Sequence, residues 1–356
     1  MTPTEKSTRS SSAAGEREGS LGRQLVANMD WITLDRIGGD ALENARRNAQ
    51  YLDHGQSLQK LRGAPIGDGD HALVLGAGPS LHRNPVADQI KAHNYRGALI
   101  VTDSCMSYCL RNGIVPDLVV TLDPHATRIV RWFGDPKLLQ KDLEADDYHA
   151  RQDMDPTFAN EIPANRQMLA LLDEHGPRMR IALATSASEA VVERVLQTGM
   201  QIHWWNPMYD DPTGADSVSR ELQRMNGLPC LNAGGNVGTA CWMMAHAVLG
   251  KKRVALSGMD FGYYSDTPHS STQYYRDAVA LVGEENLDAI FMKVLNPHLN
   301  TWFYTDPAYM WYRDCFLEMA ADASCVTYNC TEGGILFGEP VRFMPLKNFF
   351  RETARG

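Results

Sequence analysis

Acidic residues stand near the ends of three apolar stretches in this 356-residue chain. Asp103, Asp123 and Asp260 each follow a run of aliphatic side chains that is typical of a buried strand. Ligands in an open α/β sheet bind outside the carboxyl ends of the strands, so we expect Asp103 and Asp123 to converge there. Converging carboxylates hold Mg²⁺ beside phosphates, bind ribose hydroxyls or act as a general base. The residues alone leave these three roles open.

Two glycine-rich turns accompany these acids along the chain. The first is GAGPS, at Gly76 to Ser80, which ends the apolar run 72–75, and the second is AGGNVG, at 233–238. Backbone amides in such turns face an anion, and the dipole of a following helix favours negative charge. Close packing is the alternative reason for the glycines. The candidates for nucleotide binding in these turns and at the strand ends are Gly76, Gly78, Pro79, Ser80, Ser104, Gly235, Asn236 and Asp260.

The first turn is not the dinucleotide-binding fingerprint GxGxxG. Proline follows its second glycine, and Leu81 stands where the third glycine would be. Ser80 has two open roles, since it either caps a following helix or offers its hydroxyl and amide to a phosphate. His125 follows the Asp123-Pro124 turn and is an acid, a base, a phosphate ligand or a surface histidine. Neither GxSxG nor GxxxxGK[ST] occurs, and the histidines show no metal-ligand spacing, so we predict no zinc site.

The elements that must position these residues alternate between apolar runs and helical patterns from His71 onward. Such alternation predicts βαβ units, and hence an α/β, Rossmann-like fold whose mainly parallel sheet is flanked by helices. Besides the runs that precede the acids, strands are expected at 180–184, 201–205 and 325–328, the last being the final strand. Helices are expected at 104–111, 188–197, 236–249 and 306–320.

The chain divides into three predicted parts. Residues 1–20, rich in Ser, Thr, Gly and charge, are expected to be a disordered tail. Residues 21–66 form a helical lead-in, which Gly38-Gly39 is expected to split, with Asp40 as an N-cap. Residues 67–350 are expected to form the main α/β domain. Two polar segments within it, about 135–165 and 261–300, are expected to be excursions or lids and not core.

The composition excludes several classes of protein. Asp and Glu outnumber Lys and Arg by 43 to 34, a net charge of −9, which argues against a nucleic-acid partner. No apolar run approaches the roughly 18 residues that span a bilayer, and the N-terminus lacks the apolar region of a secretory signal. Seven cysteines without a CxxC motif favour reduced thiols. We therefore expect a cytoplasmic protein without a transmembrane segment.

An ordered series of motifs between residues 70 and 347 resembles the MptE-like and motility accessory factor (Maf) superfamily. The motifs are GAGPSL, TDS, GIVPDLVVTLDP, SGMDFGYY, YTDPAYMWYRDCF and NCTEGGILFGEPVRFMPL. The resemblance implies a Rossmann-like domain related to bacterial sialyltransferases. Members are flagellin glycosyltransferases that use CMP-activated nonulosonic acids, or archaeal 6-hydroxymethyl-7,8-dihydropterin diphosphokinases that use ATP and Mg²⁺.

The resemblance also implies roles for particular residues. The nucleotide would meet the turn Gly76 to Ser80, and Asp103 and Asp123 would line the same cleft. The last motif, NCTEGG, would close the cleft from the C-terminal side. The residues that this adds to the nucleotide-binding set are Asn329, Thr331, Glu332 and Gly334.

Three functions follow as hypotheses. The favoured one is a glycosyltransferase that moves a CMP-activated nonulosonic acid to a protein or glycan acceptor, because the chain carries the NCTEGG motif, an aromatic excursion and a helical N-terminus. The second is a diphosphokinase, with Mg²⁺ on Asp103 and Asp123 and ATP as co-substrate. The third is a non-catalytic nucleotide-binding regulator. Under both enzyme hypotheses the predicted catalytic residues are Asp123, His125 and Asp103.

Overall fold

A wide parallel sheet forms the centre of the computed structural model, which describes residues 19–354. Residues 1–18, which make up most of the predicted disordered tail, lie outside the described residues. The strands are β1 Gln56–Ser57, β2 His71–Leu75, β3 Ala98–Thr102, β4 Leu118–Val120, β5 Arg180–Ala184, β6 Gln201–Met208, β7 Cys230–Asn232, β8 Arg253–Ser257, β9 Tyr263–Tyr264, β10 Met292–Asn296, β11 Thr301–Thr305, β12 Val326–Asn329 and β13 Val341–Phe343.

The main sheet has the order β1-β6-β5-β4-β3-β2-β8-β12-β13, with β7 paired to β6, and its strand pairs are parallel. The order reverses between β2 and β8, because β2 leads outward through β3 in one direction and β8 leads outward through β12 in the other. Connections diverge at such a switch point and leave a crevice at the carboxyl ends of the strands. The predicted Rossmann-like α/β fold is confirmed.

Helices cover both faces of this sheet. They are α1 Ser20–Val26, α2 Met29–Asn48, α3 Ser80–Arg83, α4 Val86–Ala92, α5 Asp103–Arg111, α6 Ile129–Trp132, α7 Gln140–Ala145, α8 Tyr148–Arg151, α9 Glu161–His175, α10 Glu189–Thr198, α11 Val218–Asn226, α12 Val237–Met243, α13 Tyr275–Val282, α14 Pro307–Ala321 and α15 Leu346–Thr353. A π-helical turn, Met244–Val248, extends α12. Within residues 19–354, none of these helices is both long and apolar enough to cross a membrane.

The two-sided burial of the sheet explains the continuous apolar runs of its sequence. In β3, Leu99 and Val101 belong to the core on one face, whereas Ala98 and Ile100 belong to the core on the other. Alternate side chains of a strand point to opposite faces, so a strand covered on both sides needs apolar residues throughout. The acids that follow such runs therefore lie at the carboxyl ends of the strands, outside the two core layers.

The N-terminal lead-in contains one long helix where the sequence predicts two. Helix α2 runs without a break through Gly38-Gly39, so the predicted split and the Asp40 N-cap are wrong. Gly38 is buried, and a Cβ atom there would lie 3.3 Å from the Val218 side chain of α11. Glycine serves close helix packing at this point, and the long amphipathic face outweighs its low helix propensity.

Two asparagines tie α2 to loops of the main sheet. The Asn44 side-chain amide donates to the carbonyl oxygens of Pro124 and Ser186, each at 3.0 Å. The Asn48 amide donates to the carbonyl oxygens of Thr185 and Ala187 at 2.8 and 2.7 Å. The helix therefore holds the loop that carries Asp123 and the loop after β5.

Three further expectations need correction. Val326–Asn329 is not the final strand, because β13 adds a three-residue edge that is too short to show periodicity. The segment 135–165 is not wholly outside the core, since Phe158 is buried against Trp132. The segment 261–300 contains β9 and β10, which join β11 in a separate antiparallel sheet of order β10-β11-β9.

Candidate active site

Two cavities open at the carboxyl ends of the parallel strands and share one wall. The smaller, of about 230 Å³, lies over the switch point between β2 and β8. The larger, of about 790 Å³, lies between α2, α14 and the loop after β4. The residues that line both cavities are Leu122, Asp123, Ile129, Tyr148, Gly235, Gln273, Tyr274 and Tyr312. Asp123 thus stands at the boundary between two binding spaces.

The first glycine turn forms the floor of the smaller cavity. The amide of Gly76 donates to the carbonyl oxygen of Ser257, and the amide of Gly78 donates to that of Gly258, both at 2.9 Å. A Cβ atom on Gly258, whose φ is +70°, would lie 2.2 Å from the Gly76 carbonyl oxygen. The loops after β2 and β8 therefore touch backbone to backbone, and the amides of Gly76 and Gly78 are already bonded within the protein.

Ser80 completes this floor together with Asp260. The Ser80 hydroxyl donates to Asp260 Oδ2 at 2.7 Å, and its amide donates to Oδ1 at 3.2 Å. Burial raises the pKa of the Asp260 carboxyl to about 7. Ser80 is buried and lies behind the cavity lining, so its hydroxyl and amide hold a carboxyl group where a phosphate was one of the expectations. Asp260 itself lines the cavity.

The NCTEGG motif lies behind the floor and lines neither cavity, which corrects the expectation that it closes the cleft. Gly334 has a φ of +68°, and a Cβ atom there would lie 2.1 Å from the Asp260 carbonyl oxygen. The Thr331 hydroxyl accepts a hydrogen bond from the Met259 amide, and Glu332 accepts one from the Leu346 amide. Asn329 is buried. The motif supports the loop that carries Asp260.

The second glycine turn differs from the first because the helix after it begins at the cavity. Asn236 caps α12, its side-chain oxygen accepting a hydrogen bond from the Thr239 amide at 2.9 Å. The first amides of a helix have no acceptor within the helix. Those of α12 belong to Val237 and Gly238, and both residues line the smaller cavity beside Gly235 and Asn236.

Carboxyl groups dominate the smaller cavity. Asp103, Asp123, Asp153 and Asp260 line it, and no Lys or Arg is among the described residues that do. Asp103 Oδ1 accepts a hydrogen bond from the Ser104 amide at 2.7 Å. Burial raises the pKa of Asp103 to about 7, and the neighbouring charge of Asp123 acts in the same direction. A phosphate in this space therefore needs backbone amides or a cation.

The pair Asp103 and Asp123 is the arrangement that best fits a divalent cation. Between residues 19 and 354, no three His, Cys, Asp or Glu side chains are grouped so that they would hold a metal on their own. Mg²⁺ is commonly held by one or two carboxylates together with substrate phosphates. The pair thus fits a Mg²⁺ ion that arrives with a nucleotide, and not a resident ion enclosed by protein ligands.

The larger cavity is lined by charged and aromatic side chains that were not among the predicted site residues. Arg128 donates to both carboxylate oxygens of Asp146, at 2.7 and 3.3 Å, and stacks over the Tyr148 ring at 4.3 Å. Arg36 lines the cavity from α2, and Tyr312 from α14. The aromatic spacing in the motif YTDPAYMWYRDCF could have identified Tyr312 as a site residue. No local sequence pattern identifies Tyr148 or Arg36.

His125 and Asp123 occupy one turn between the cavities. The His125 amide donates to Asp123 Oδ1 at 2.7 Å, which fixes the orientation of the carboxylate within the turn. His125 lines the larger cavity only, and Asp103 lines the smaller one only. The predicted residues that line the smaller cavity are Gly76, Gly78, Pro79, Asp103, Ser104, Asp123, Gly235, Asn236 and Asp260.

Comparison with known proteins gives a family match to part of the chain and a similar fold. Residues 42–134 match the family model described as 6-hydroxymethylpterin diphosphokinase MptE-like. The fold is similar to that of the Maf glycosyltransferase from Magnetospirillum magneticum AMB-1, with a TM-score of 0.50 and 15% sequence identity. That match covers 81% of this chain and 35% of the other, so this chain spans about a third of that protein's length. No curated protein matches the sequence. The family match agrees with the MptE-like part of the resemblance, and the similarity to the Maf glycosyltransferase supports the fold alone.

Proposed function

We propose that this protein is a nucleotide-dependent transferase, and more narrowly a glycosyltransferase whose donor is a CMP-activated nonulosonic acid. The observation that carries the proposal is the junction of two cavities at Asp123. A transferase must hold two substrates with their reacting atoms in contact, because much of its rate enhancement comes from positioning. The larger cavity falls within the volume range of small-molecule sites, roughly 300–1,000 Å³.

The donor phosphate would lie in the smaller cavity against the start of α12. The amides of Val237 and Gly238, together with the positive end of the helix dipole, favour an anion there. The floor formed by Gly76 and Gly78 would shape this space without donating those two amides, which are bonded to Ser257 and Gly258. The larger cavity would receive the acceptor, a group on a protein or a glycan.

The transfer would take place beside Asp123. The acceptor hydroxyl oxygen forms a bond to the anomeric carbon, and its proton passes to the Asp123 carboxylate. The bond from the anomeric carbon to the phosphate oxygen breaks, and its electron pair leaves with the nucleotide phosphate. The amides at the start of α12 stabilise the charge that develops on the leaving phosphate.

A second candidate function rests on the acidity of the smaller cavity. Four carboxyl groups and no Lys or Arg line it, and a cation that accompanies a phosphate would offset their negative charge. In a diphosphokinase that uses ATP, Asp103 and Asp123 would hold Mg²⁺ beside the phosphates. The ion would supply charge neutralisation, while the protein positions the substrates. The family model that matches residues 42–134 also supports this candidate.

Thermal unfolding with nucleotides separates the candidates. Stabilisation by CMP without metal supports the glycosyltransferase, because a ligand that binds only the native state raises the melting temperature. Stabilisation by ATP alone, and only with Mg²⁺, replaces it with the diphosphokinase. A failure of CMP, CTP, ATP and GTP to shift the transition contradicts both. Nucleotide binding without turnover leaves the regulator.

Replacing Asp123 tests the chemistry directly. We expect Asp123→Asn to lower turnover of a CMP-activated nonulosonic acid by about 10²- to 10⁴-fold, the usual contribution of a general base. The melting temperature and its nucleotide-induced shift should stay within error of the wild type, because the Asp123 side chain is exposed.

The matched control is Asp88→Asn. Asp88 is also exposed, but it lines neither cavity and pairs with Lys91 on the surface of α4. Turnover of this variant should equal that of the wild type. An Asp123→Asn protein with undiminished turnover would remove Asp123 from the reaction.

A further inference from the structure

Gln273 lies in the wall that the two cavities share, and one end of its side chain has no protein partner. Its Oε1 accepts a hydrogen bond from the Tyr309 hydroxyl at 2.8 Å. That hydroxyl has no other acceptor between residues 19 and 354, so the oxygen of the amide faces Tyr309 and the nitrogen faces away. No described group bonds to Nε2, and this atom is not among the buried polar atoms that lack a partner. Nε2 is therefore open to the cavities that Gln273 lines.

A buried frame of three side chains fixes Gln273 in this position. Asp306, only 1% exposed, accepts from the Tyr309 amide at 2.9 Å and from the Tyr263 hydroxyl at 3.0 Å. The rings of Tyr263 and Tyr309 stack with their centroids 5.3 Å apart. The Tyr263 hydroxyl also accepts from the backbone amide of Gln273 at 3.1 Å. The frame thus holds both the backbone and the side-chain oxygen of Gln273, so little freedom remains to be lost when a ligand binds Nε2.

The shared wall offers few other donors to an anionic group. No Lys or Arg is among the described residues that line both cavities. The hydroxyls of Tyr274 and Tyr312 bond to each other at 3.0 Å. The Asp123 carboxylate only accepts hydrogen bonds and repels an anion. The amide of Gln273 therefore supplies two N–H bonds, without a charge, where a negative group would otherwise meet a carboxylate.

We propose that Gln273 Nε2 donates a hydrogen bond to the carboxylate of the transferred sugar, and that Gln273 is a specificity-determining residue for acidic sugars. This role rests on the proposed function. A nonulosonic acid carries its carboxylate on the anomeric carbon, and that carbon must lie beside Asp123 for the transfer. The carboxylate, one bond away, then also lies at the junction of the cavities, whose wall contains both Asp123 and Gln273.

The experiment compares two ligands that differ by the sugar, CMP and CMP-N-acetylneuraminic acid. Isothermal titration of the full chain without an acceptor measures both affinities. Gln273→Met has a side chain of similar length without the amide. We expect it to lose about tenfold in affinity for the CMP-sugar, the effect of one hydrogen bond to a charged group. Its affinity for CMP should stay within about twofold of the wild type, because CMP has no carboxylate.

Two further variants separate the donor from the support of the loop. Tyr309→Phe removes the same bond between Tyr309 and Gln273 but keeps Nε2, and we expect it to lose no more than about threefold in affinity for the CMP-sugar. Gln273→Glu has the shape of the wild type and keeps an oxygen for Tyr309. At pH 8 it should bind the CMP-sugar more weakly than Gln273→Met does, because two carboxylates then face each other.

The results that contradict this role are distinct. Equal losses of both ligands in Gln273→Met would make the residue structural or a contact of the nucleotide. A loss in Tyr309→Phe as large as that in Gln273→Met would assign the effect to the bond between the two residues. A Gln273→Glu protein that binds the CMP-sugar as the wild type does would exclude the carboxylate contact. A wild type that does not bind the CMP-sugar would overturn the proposed function, and the role of Gln273 with it.

Discussion

The two glycine-rich turns of this chain resemble each other in sequence but have different structural roles. In GAGPS, the amides of Gly76 and Gly78 bind carbonyl oxygens of the loop after β8, so the turn is a structural joint. In AGGNVG, the chain runs into α12, whose first residues line the smaller cavity. A glycine turn at a strand end therefore does not identify an anion site until the acceptors of its amides are known.

The largest expected effect concerns the joint. Gly258→Ala should lower the free energy of unfolding by about 5 kcal/mol or prevent folding, because a Cβ atom would lie 2.2 Å from the Gly76 carbonyl oxygen at a φ of +70°. Urea denaturation measures the loss. Gly250→Ala is the matched control, since Gly250 has a φ of +72° but nothing within 4 Å of its Cβ position. That variant should lose only about 1 kcal/mol.

Equal losses in the two alanine variants would show that backbone strain, and not the contact between the loops, sets the cost. The joint would then be an ordinary left-handed turn. The difference between the two turns would lose its structural basis.

The next effect is a pH dependence of the free energy of unfolding that comes from Asp260, which lies behind the first glycine turn. The pKa of Asp260 is raised to about 7 from an ordinary value of 3.8, so the native state binds more protons than the unfolded state between these values. The contribution of this group to the free energy of unfolding should therefore fall as pH rises from about 4 to about 7, by at most about 4 kcal/mol. Asp260→Asn should flatten this fall.

Urea denaturation at pH 5 and pH 8 tests the slope. Asparagine suits the site, because its oxygen accepts from the Ser80 amide and its nitrogen donates to the Ser80 hydroxyl. Asp103, whose pKa is also about 7, leaves part of the slope in the variant. Histidines whose pKa is lowered by burial, such as His149, give the wild type an opposing slope. The test is therefore the difference between the two proteins, and equal slopes would contradict the raised pKa of Asp260.

The smallest effect concerns the second turn. Val237→Pro removes one amide hydrogen at the first position of α12, where proline is well tolerated. Asn236 already has the extended backbone, φ −145° and ψ 155°, that a following proline requires. We expect CMP affinity to fall about tenfold, with unfolding free energy within about 1 kcal/mol of the wild type.

Val237→Ala is its control, because it loses the same side chain but keeps the amide. Isothermal titration of both variants with CMP measures the difference. If proline and alanine bind CMP equally well, the amides of α12 do not hold the phosphate, and the second turn is structural like the first.

Much of the fold was predictable because local patterns report it. The apolar runs that end at Asp103 and Asp260 locate two strands of the sheet, and a buried parallel strand must be apolar on both faces. The position of the cleft followed from where such strands end. The small antiparallel sheet was missed, since β9 has two residues and gives no alternation.

The predictions that were wrong concerned residues whose roles depend on contacts with residues far away in the sequence. Ser80 looked free to bind phosphate, but Asp260 stands 180 positions away in sequence and takes both of its donors. Gly38 looked like a helix break, but Val218 packs against it. The NCTEGG motif belongs to the series that carries the resemblance, but its place behind Asp260 depends on β12 lying beside β8. Single-sequence patterns do not encode such pairings.

The hydrogen bonds of Asn44 and Asn48 in α2 determine how far the chain can be truncated from its N-terminal side. A fragment starting at residue 67 would delete Asn44 and Asn48, and with them the donors to Pro124 and to the loop after β5. The family model begins at residue 42, inside α2 and two positions before Asn44. The smallest expressible unit therefore starts upstream of α2, and a shorter version would present its Asp123 turn without the helix that tethers it.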